Sequence, residues 1–456
     1  MKSTRRLILI GLAGILLAGA ALWYRSKANA SKAAQLARMV ADPRFKKMDA
    51  EVARRKAAVA ADPHSVEAKW NLARIYQDLG VIDLAAVQLR DIVAMSPQDE
   101  AATIALANAE LALVHPDAAK LLLTQATSKW PKNPEGWQGL AVIAYSEQHY
   151  EDAVRLMRRA VSLRPNEPNY RYILANSLQA YAQQFPTSDT YAPILALARH
   201  EYEKILPSWP DKADIHVRLA SVCTSLTDYK SGVEHYAEAV KLLPGRPDIA
   251  AELAAGYISL GKYDLAKTAI DEAILRGTDY ATLYDLRGQI LMRATDQAST
   301  IKAAEAYQKA ITLNPKVPRY YERLGTLQSR LGKYPQARVT LERAVEMDPE
   351  RAAPYQQLAA VYTRLGDSKM ASRAARLAQR MVFNEQQLKQ IEQLSASDPQ
   401  DMNLHLVLAD RYRDLGMTSS AIAKYRLILK YEPGNKRAQE GLAAIAKSTV
   451  ARSGAK

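Results

Sequence analysis

Cysteine is almost absent from this sequence, because Cys223 is the only one in 456 residues. A single thiol excludes a disulfide framework and any metal site built from several cysteines. The seven histidines show no HExxH spacing, and no GxxxxGK[S/T] loop, GxGxxG fingerprint or GxSxG elbow occurs. We therefore expect no cofactor, no catalytic residues and no enzymatic activity.

Phenylalanine is also scarce, with three residues, whereas alanine and leucine are abundant. Charged residues make up 24% of the chain and are spread evenly after the first thirty positions. Alanine, leucine and interleaved charges favour helices over sheets. The composition predicts an all-α fold.

The net charge of +14 is concentrated in a few stretches. Residues 25–64 hold ten Lys/Arg against four Asp/Glu, and residues 318–382 hold twelve against six. A nucleic-acid binder is expected to interleave basic residues with aromatic ones. Here one basic block follows an apolar segment, which favours attraction to anionic lipid headgroups, with a solvated flank as the alternative. We expect membrane contact and no nucleic acid.

Residues Leu7–Tyr24 form an uncharged, mostly apolar run of eighteen residues. As a helix this run would be about 27 Å long, close to the hydrocarbon thickness of a bilayer. Ala18-Gly19-Ala20 and Ala28-Asn29-Ala30 resemble cleavage sites of a signal peptide, which is the alternative reading. The run exceeds the usual apolar region of a signal peptide, so we predict an uncleaved N-terminal transmembrane helix.

The orientation of this helix follows from the flanking charges. The short basic N-terminus favours a cytoplasmic start and a periplasmic body, whereas Arg25, Lys27 and Lys32 favour the opposite. We predict a single-pass protein of a bacterial-type inner membrane, with the periplasmic side favoured over the cytoplasmic one. Gly14 and Ala18 form a small-xxx-small pair that could pair two copies, so a homo-oligomer stays open.

Three ladders of residues recur at intervals of 34 along most of the chain. The first consists of prolines that can end one helix pair and begin the next: Pro63, Pro97, Pro131, Pro165, Pro210, Pro244, Pro315, Pro349, Pro399 and Pro433. The second consists of small residues, which stand where two helices cross closely: Ala85, Ala119, Ala153, Ala198, Gly232, Ala266, Ala303, Ala337, Ala371 and Ala421. A third ladder, Leu followed by a small residue, keeps the same register from Leu72 to Leu408.

The ladders break together at three places, and these breaks indicate insertions. They divide the sequence into a transmembrane helix at 1–24, a basic segment with a degenerate half-repeat at 25–65, a solenoid at 66–433 with insertions near 184–194, 294–299 and 383–398, and a capping helix with a disordered tail at 434–456. Glycines such as Gly80 and Gly416 stand where first helices need a left-handed cap.

The repeat resembles the tetratricopeptide repeat (TPR) family, and specifically its membrane-anchored bacterial-type members. Trp137-Gln138-Gly139-Leu140-Ala141 with Tyr150, Ala153, Ala160 and Pro165 is one nearly complete copy. The resemblance implies a right-handed superhelical solenoid of about ten helix pairs, whose first helices line a concave groove and whose partners are proteins or extended peptides.

On the face that the resemblance makes concave, the early repeats offer aromatic and amide side chains and the later repeats offer arginines. Rings and amides suit an extended peptide or a partner helix, and arginines suit acidic segments. A solvated or intramolecularly paired face is the alternative. The candidate partner-binding residues are Trp70, Arg74, Asn108, Tyr145, Tyr172, Asn176, Arg319, Arg323, Arg330 and Arg364. The turn-rich insertion near Phe185–Tyr191 is a further candidate contact or a plain surface loop.

One specialised reading within the family is not favoured. Carboxylate-clamp repeats that grip chaperone C-termini use a Lys and an Asn where this sequence has Ala251 and Ala255. We predict a membrane-anchored scaffold or assembly factor of a cell-envelope complex of the secretion, pilus, polysaccharide or cytochrome-maturation type. The alternatives are a cytoplasm-facing adaptor for envelope biosynthesis, a peptide-binding chaperone, and, more remotely, a non-catalytic glycosyltransferase subunit.

Overall fold

The computed structural model describes residues 43–184, 190–277, 279–398, 400–415 and 417–453. The predicted transmembrane helix Leu7–Tyr24, residues 185–189 of the insertion and Gly416 lie outside these ranges. Among the described residues, no helix has the length and apolarity that a bilayer crossing requires.

The described residues contain helices and no strand, so the predicted all-α class is confirmed. The chain forms two compact units with a boundary at Tyr181. The helices that begin in the first unit are α1 (Pro43–Ala61), α2 (Val66–Asp78), α3 (Ile82–Met95), α4 (Glu100–Ala112), α5 (Pro116–Lys129), α6 (Pro134–Ser146), α7 (Tyr150–Leu163) and α8 (Pro168–Gln183).

Each repeat is a pair of helices, which we call its first and second helix in chain order. The second unit continues this alternation. Its helices are α9 (Tyr191–Ile205), α10 (Ala213–Ser225), α11 (Tyr229–Leu242), α12 (Pro247–Ser259), α13 (Tyr263–Leu275), α14 (Ala281–Leu291), α15 (Gln297–Leu313), α16 (Pro318–Arg330), α17 (Tyr334–Met347), α18 (Ala352–Arg364), α19 (Ser368–Ser397), α20 (Met402–Asp414), α21 (Thr418–Tyr431) and α22 (Lys436–Ser453).

The ends of these helices follow from local sequence. Ser65 caps α2 by accepting a hydrogen bond from the Ala68 N–H at 3.1 Å, and Asp99 caps α4 by accepting from Ala102 at 2.8 Å. Gly80 has a φ of 71° in the turn between α2 and α3, a left-handed value that glycine adopts without steric cost.

A large side chain stands four residues after nine of the ten small residues of the second ladder, and we call the positions at this spacing the bulky rung. Each packs between helices. Those that are at most 3% exposed are Leu89, Leu123, Met157, Tyr202, Tyr236, Ile270, Tyr307, Leu341 and Tyr425. The remaining position, ninth in chain order, is Ala375, which is exposed.

Some successive first helices contact one another directly within each unit. The first unit has such a contact between α4 and α6, and the second unit has contacts between α12 and α14 and between α16 and α18. The uncovered sides of neighbouring first helices therefore form a shared surface, which is where the candidate site lies.

The longest helix, α19, contains thirty residues and includes most of the predicted insertion at 383–398. That insertion contributes no separate loop or helix, because the segment after Phe383 has no Gly or Pro to interrupt the helix. The final helix, α22, packs against α21, and its capping role stays a prediction.

Candidate peptide-binding groove

Three first helices of the first unit, α4, α6 and α8, together with the turn between α7 and α8, enclose a groove of about 550 Å³. Its lining combines three amides, two carboxylates, one guanidinium, two tyrosines and one isoleucine. The residues are Asn108, Glu135, Gln138, Arg164, Glu167, Asn169, Tyr170, Tyr172 and Ile173. The groove thus contains two of the residues singled out in the sequence, Asn108 and Tyr172.

Two amides in this groove are available to a ligand. Asn108 is exposed and Gln138 is half-buried, and neither side chain makes a hydrogen bond with a described residue. A side-chain amide both donates and accepts, which matches the N–H and C=O groups of an extended peptide. These amides can therefore replace the hydrogen bonds to water that the backbone of a bound peptide gives up.

The charged side chains of the groove form long ion pairs and hydrogen bonds within the groove. Arg164 lies 3.5 Å from Glu135, and Glu167 accepts a hydrogen bond from the Asn169 side chain at 3.2 Å. Burial raises the pKa of Tyr170, so its hydroxyl stays protonated at neutral pH. The arrangement provides a polar wall and an apolar wall of Tyr172 and Ile173, which suits binding and offers no activated base.

Trp70 and Arg74 lie on α2, away from this groove. The Trp70 indole is half-buried and donates a hydrogen bond to the Asp99 carboxylate at 3.1 Å. The Arg74 guanidinium lies 5.6 Å from the centre of the Trp70 ring, within the range of a cation–π contact. Trp70 thus ties α2 to the start of α4, and its partner-binding role stays a prediction.

Tyr145 and Asn176 also lie outside the lining of the groove. Tyr145 is 37% exposed and contacts the Tyr150 ring edge-on, with ring centres 5.1 Å apart. Asn176 is half-buried on α8 and already interacts with a neighbour in the protein. The partner-binding role of both residues stays a prediction.

The four arginines of the later repeats divide into two pairs. Arg319 forms an ion pair with the buried Asp285 of α14, and the Arg323 guanidinium lies 6.0 Å from the centre of the Tyr307 ring. Arg330 and Arg364 are exposed in the last turns of α16 and α18, where positive charge complements the helix dipole. Neither of these two makes an ion pair with a described residue, so they are the ones open to an acidic ligand.

Gln138 was missed as a candidate although the repeat marks its position. It stands 34 residues after Ile104 and 34 before Tyr172, at the same place in successive repeats as Trp70. In the sequence Gln138 is only part of a Trp-Gln-Gly-Leu-Ala motif, which conceals its place in this ladder. Ile104 shares the place but is 3% exposed and does not reach the groove.

A family model described as "Tetratricopeptide repeat" matches residues 111–176, and another with the same description matches residues 306–339. The chain carries tetratricopeptide repeats. The first match covers most of the groove, from Glu135 to Tyr172. The helices and these matches confirm the all-helical tetratricopeptide-type repeat that the resemblance implied.

Curated relatives match parts of the chain at low identity. An Hsp70-Hsp90 organizing protein of Triticum aestivum is 26% identical over 173 residues, which is 30% of this chain and 30% of the relative. The cellulose synthase 1 operon protein C of Komagataeibacter xylinus is 24% identical over 226 residues, which is 48% of this chain and 17% of the relative. The chain therefore spans less than a third of the length of these relatives.

Solved structures resemble the chain over limited stretches. The crystal structure of MamA is 19% identical, with a TM-score of 0.34 over 37% of this chain and 97% of that one. A tetratricopeptide repeat protein from Parabacteroides merdae is 18% identical, with a TM-score of 0.37 over 58% of this chain and 98% of that one.

Proposed function

We propose that this protein is a non-enzymatic scaffold that holds an extended segment of a partner protein on α4, α6 and α8. The observation that carries the proposal is the pair of amides, Asn108 and Gln138, which face the groove beside Tyr172 without a hydrogen bond to a described residue. Amides that pair with a peptide backbone, next to an aromatic ring that buries apolar area, are a recurring means of binding peptides.

The state of the single thiol supports the non-enzymatic part of the proposal. Burial raises the pKa of the Cys223 thiol to about 11, so at neutral pH it is neither a nucleophile nor a thiolate ligand. Within the described residues, no three His, Cys, Asp or Glu side chains come together as a metal site would require.

The cellular part of the proposal rests on the sequence. The apolar run Leu7–Tyr24 and the basic block at 25–64 support an anchored protein with its repeats beside the membrane. We assign it to a cell-envelope assembly of a bacterial inner membrane, with the repeats on the periplasmic side. Anchoring would raise the effective concentration of the repeats near membrane-bound partners.

A pulldown from native membranes with quantitative mass spectrometry tests the groove. The triple variant Asn108→Ala, Gln138→Ala and Tyr172→Ala should lower recovery of the specific partner by about tenfold, since it removes two backbone pairs and one ring. The matched control changes Gln125 and Arg158, exposed on α5 and α7, to Ala. Equal recovery by the groove variant and the control would contradict the proposal.

A reporter enzyme fused to the C-terminus tests the orientation. An enzyme that is active only in the periplasm should be active in this fusion. Activity of a cytoplasmic reporter instead would replace the periplasmic proposal by the cytoplasm-facing adaptor and would leave the groove proposal intact.

A further inference from the structure

Ala375 is the exception in the bulky rung: the other nine second helices of the ladder have a large side chain at this position. Its counterpart one repeat earlier is Leu341, which is fully buried, whereas Ala375 is exposed. A small side chain at this place leaves space between α18 and the first half of α19 that other repeats fill.

In two other repeats the helix that follows in the chain covers the bulky rung closely. Leu123 of α5 lies against Gly139 of α6, where an added Cβ would stand 2.7 Å from the Leu123 side chain. Tyr425 of α21 lies equally close to Gly441 of α22. A following helix thus closes these two faces by near contact of its backbone. Leu341 lies against Gly325 of the preceding helix α16 and shares a buried cluster with Leu358 of the following helix α18.

Behind Ala375 this following helix is missing. The second half of α19 takes the place of a second helix towards α20, because Tyr412 donates a hydrogen bond to Glu392 at 2.7 Å. The same pair, also twenty residues apart, occurs one stage earlier, where Tyr362 donates to Glu342 of α17 at 2.6 Å. Helix α19 therefore joins two second helices end to end and omits the first helix between them.

The omission leaves an open groove of about 440 Å³ between α18 and α19. The side chains that form its floor are small or uncharged. Phe383, which is 57% exposed, stands at one end. The side chains that shape it are Gln356, Ala359, Ala375, Gln379, Val382 and Phe383. Small side chains allow the backbone of a helix to approach closely, and Phe383 provides apolar area for it to bury.

A basic strip borders this groove along α19. Its members are spaced by four, three and four residues, which places them on one side of the helix next to Phe383. They are exposed, none makes an ion pair with a described residue, and they are Lys369, Arg373, Arg376 and Arg380. Four cations without counter-ions at the edge of an apolar groove complement a ligand that carries carboxylates.

We propose that this groove binds an amphipathic helix of a partner protein, with an apolar face towards Ala375 and Phe383 and acidic residues towards the basic strip. The partner helix would take the place of the omitted first helix. The chain's own segment 1–42 is a poor match, because its excess of Lys and Arg would face the basic strip. This site is separate from the groove on α4, α6 and α8 and does not depend on it.

Fluorescence anisotropy with the full-length protein in nonionic detergent tests the proposal. The probe is a stapled helical peptide with the buried-face residues of α18 (Ala352, Tyr355, Leu358, Val361 and Tyr362) and Glu at its other positions. It should bind about tenfold more tightly than the same peptide with Lys in place of Glu, and less tightly as salt rises.

Two variants locate the binding. Ala375→Trp fills the groove, and the double variant Arg376→Glu with Arg380→Glu reverses the strip; each should weaken binding about tenfold or more. All three positions are exposed, so circular dichroism and the melting temperature should stay unchanged. The matched control reverses Arg158 and Arg159, exposed on α7, and should bind like the wild type.

Three results would overturn the proposal. Equal weakening by the Arg158/Arg159 control would show general attraction to a basic protein. A dimer in analytical ultracentrifugation that Ala375→Trp dissociates would show that a second copy occupies the groove. A photo-crosslinker at position 383 that captures residues 1–42 of the same chain would show that the groove is covered from within.

Discussion

At the scale of single residues, the same place in two successive repeats has opposite surroundings. Leu341 of α17 is enclosed by α16 and α18 and has no exposed surface, whereas Ala375 lies open on α19. A buried leucine contributes both apolar area and packing contacts, and an exposed alanine contributes little of either. The two positions therefore respond differently to substitution.

Leu341→Ala should lower the free energy of unfolding by about 2–5 kcal/mol, because it leaves a cavity beside Gly325. Ala375→Leu, at the matched place, should change it by about 0.5 kcal/mol or less. Thermal unfolding followed by circular dichroism measures both. A strong destabilisation by Ala375→Leu would mean that the groove beside α19 is closed.

Glu110 connects three parts of the first unit and makes stability depend on pH. It accepts hydrogen bonds from Arg90 of α3 at 2.6 Å and from His115 at 2.9 Å. Burial pushes the pKa of Glu110 up, but these two hydrogen bonds outweigh burial and hold it below the usual 4.5. A carboxyl whose pKa is lower in the folded than in the unfolded state stabilises the fold at pH values above its unfolded-state pKa. This contribution is lost as the pH falls through the folded-state pKa.

Glu110→Gln should therefore lower the free energy of unfolding by about 1–3 kcal/mol at pH 7. The difference between wild type and variant should shrink as the pH falls below about 4.5, where the wild-type carboxylate becomes protonated. Melting temperatures between pH 7 and pH 3 measure it. A difference that stays constant over this range would show that the charge of Glu110 plays no part.

At the scale of elements, α19 departs most from the repeat. It runs for thirty residues, where the other second helices that follow the regular pattern contain thirteen to seventeen. Its second half packs on α20 through the Tyr412–Glu392 hydrogen bond and through Arg411, which donates to Asn384 at 3.0 Å. Continuity through residue 383 holds both halves in line.

Gln386→Pro tests this continuity. A proline inside a helix removes a backbone hydrogen bond and clashes with the preceding turn, so the variant should lose about 3 kcal/mol or more. Gln386→Ala is the control at the same exposed position and should be nearly neutral. If both variants melt alike, residues 383–386 form a break between two helices.

Much of this architecture could be predicted from the sequence because each repeat has the same local signals. The prolines, the small residues and Gly80 mark helix ends and crossings with no need of tertiary information. The role of the segment after Phe383 could not be predicted, because a missing helix leaves no signal of its own beyond an irregular interval. Gln138 was overlooked for a related reason: availability of an amide depends on which neighbours approach it.

At the scale of the whole molecule, charge and apolarity are placed unevenly along the chain. The net charge of +14 is concentrated beside the apolar run and within residues 318–382. Such a distribution matches a protein that works beside an anionic membrane and also binds acidic segments. The first part of this expectation, work beside a membrane, concerns residues 7–24. The second part, binding of acidic segments, concerns the groove beside α19.

Membrane fractionation tests the first part. The protein should stay in the pellet after carbonate washing, and its N-terminal peptide should begin at or near Met1, because a run of eighteen apolar residues is long enough to anchor it. A form that begins near Ala20 or Ala30 and leaves the membrane would show that the segment is a cleaved signal peptide.

The central claim is that α4, α6 and α8 hold an extended segment of a partner, and crosslinking at Gln138 tests it most directly. A photo-reactive residue at position 138 in the full-length protein should capture the partner that the pulldown identifies, through a contiguous peptide of that partner. The same residue at position 125 on α5 should not. Equal capture from position 125 would contradict the account. So would capture from position 138 that stays unchanged in the double variant Asn108→Ala with Tyr172→Ala.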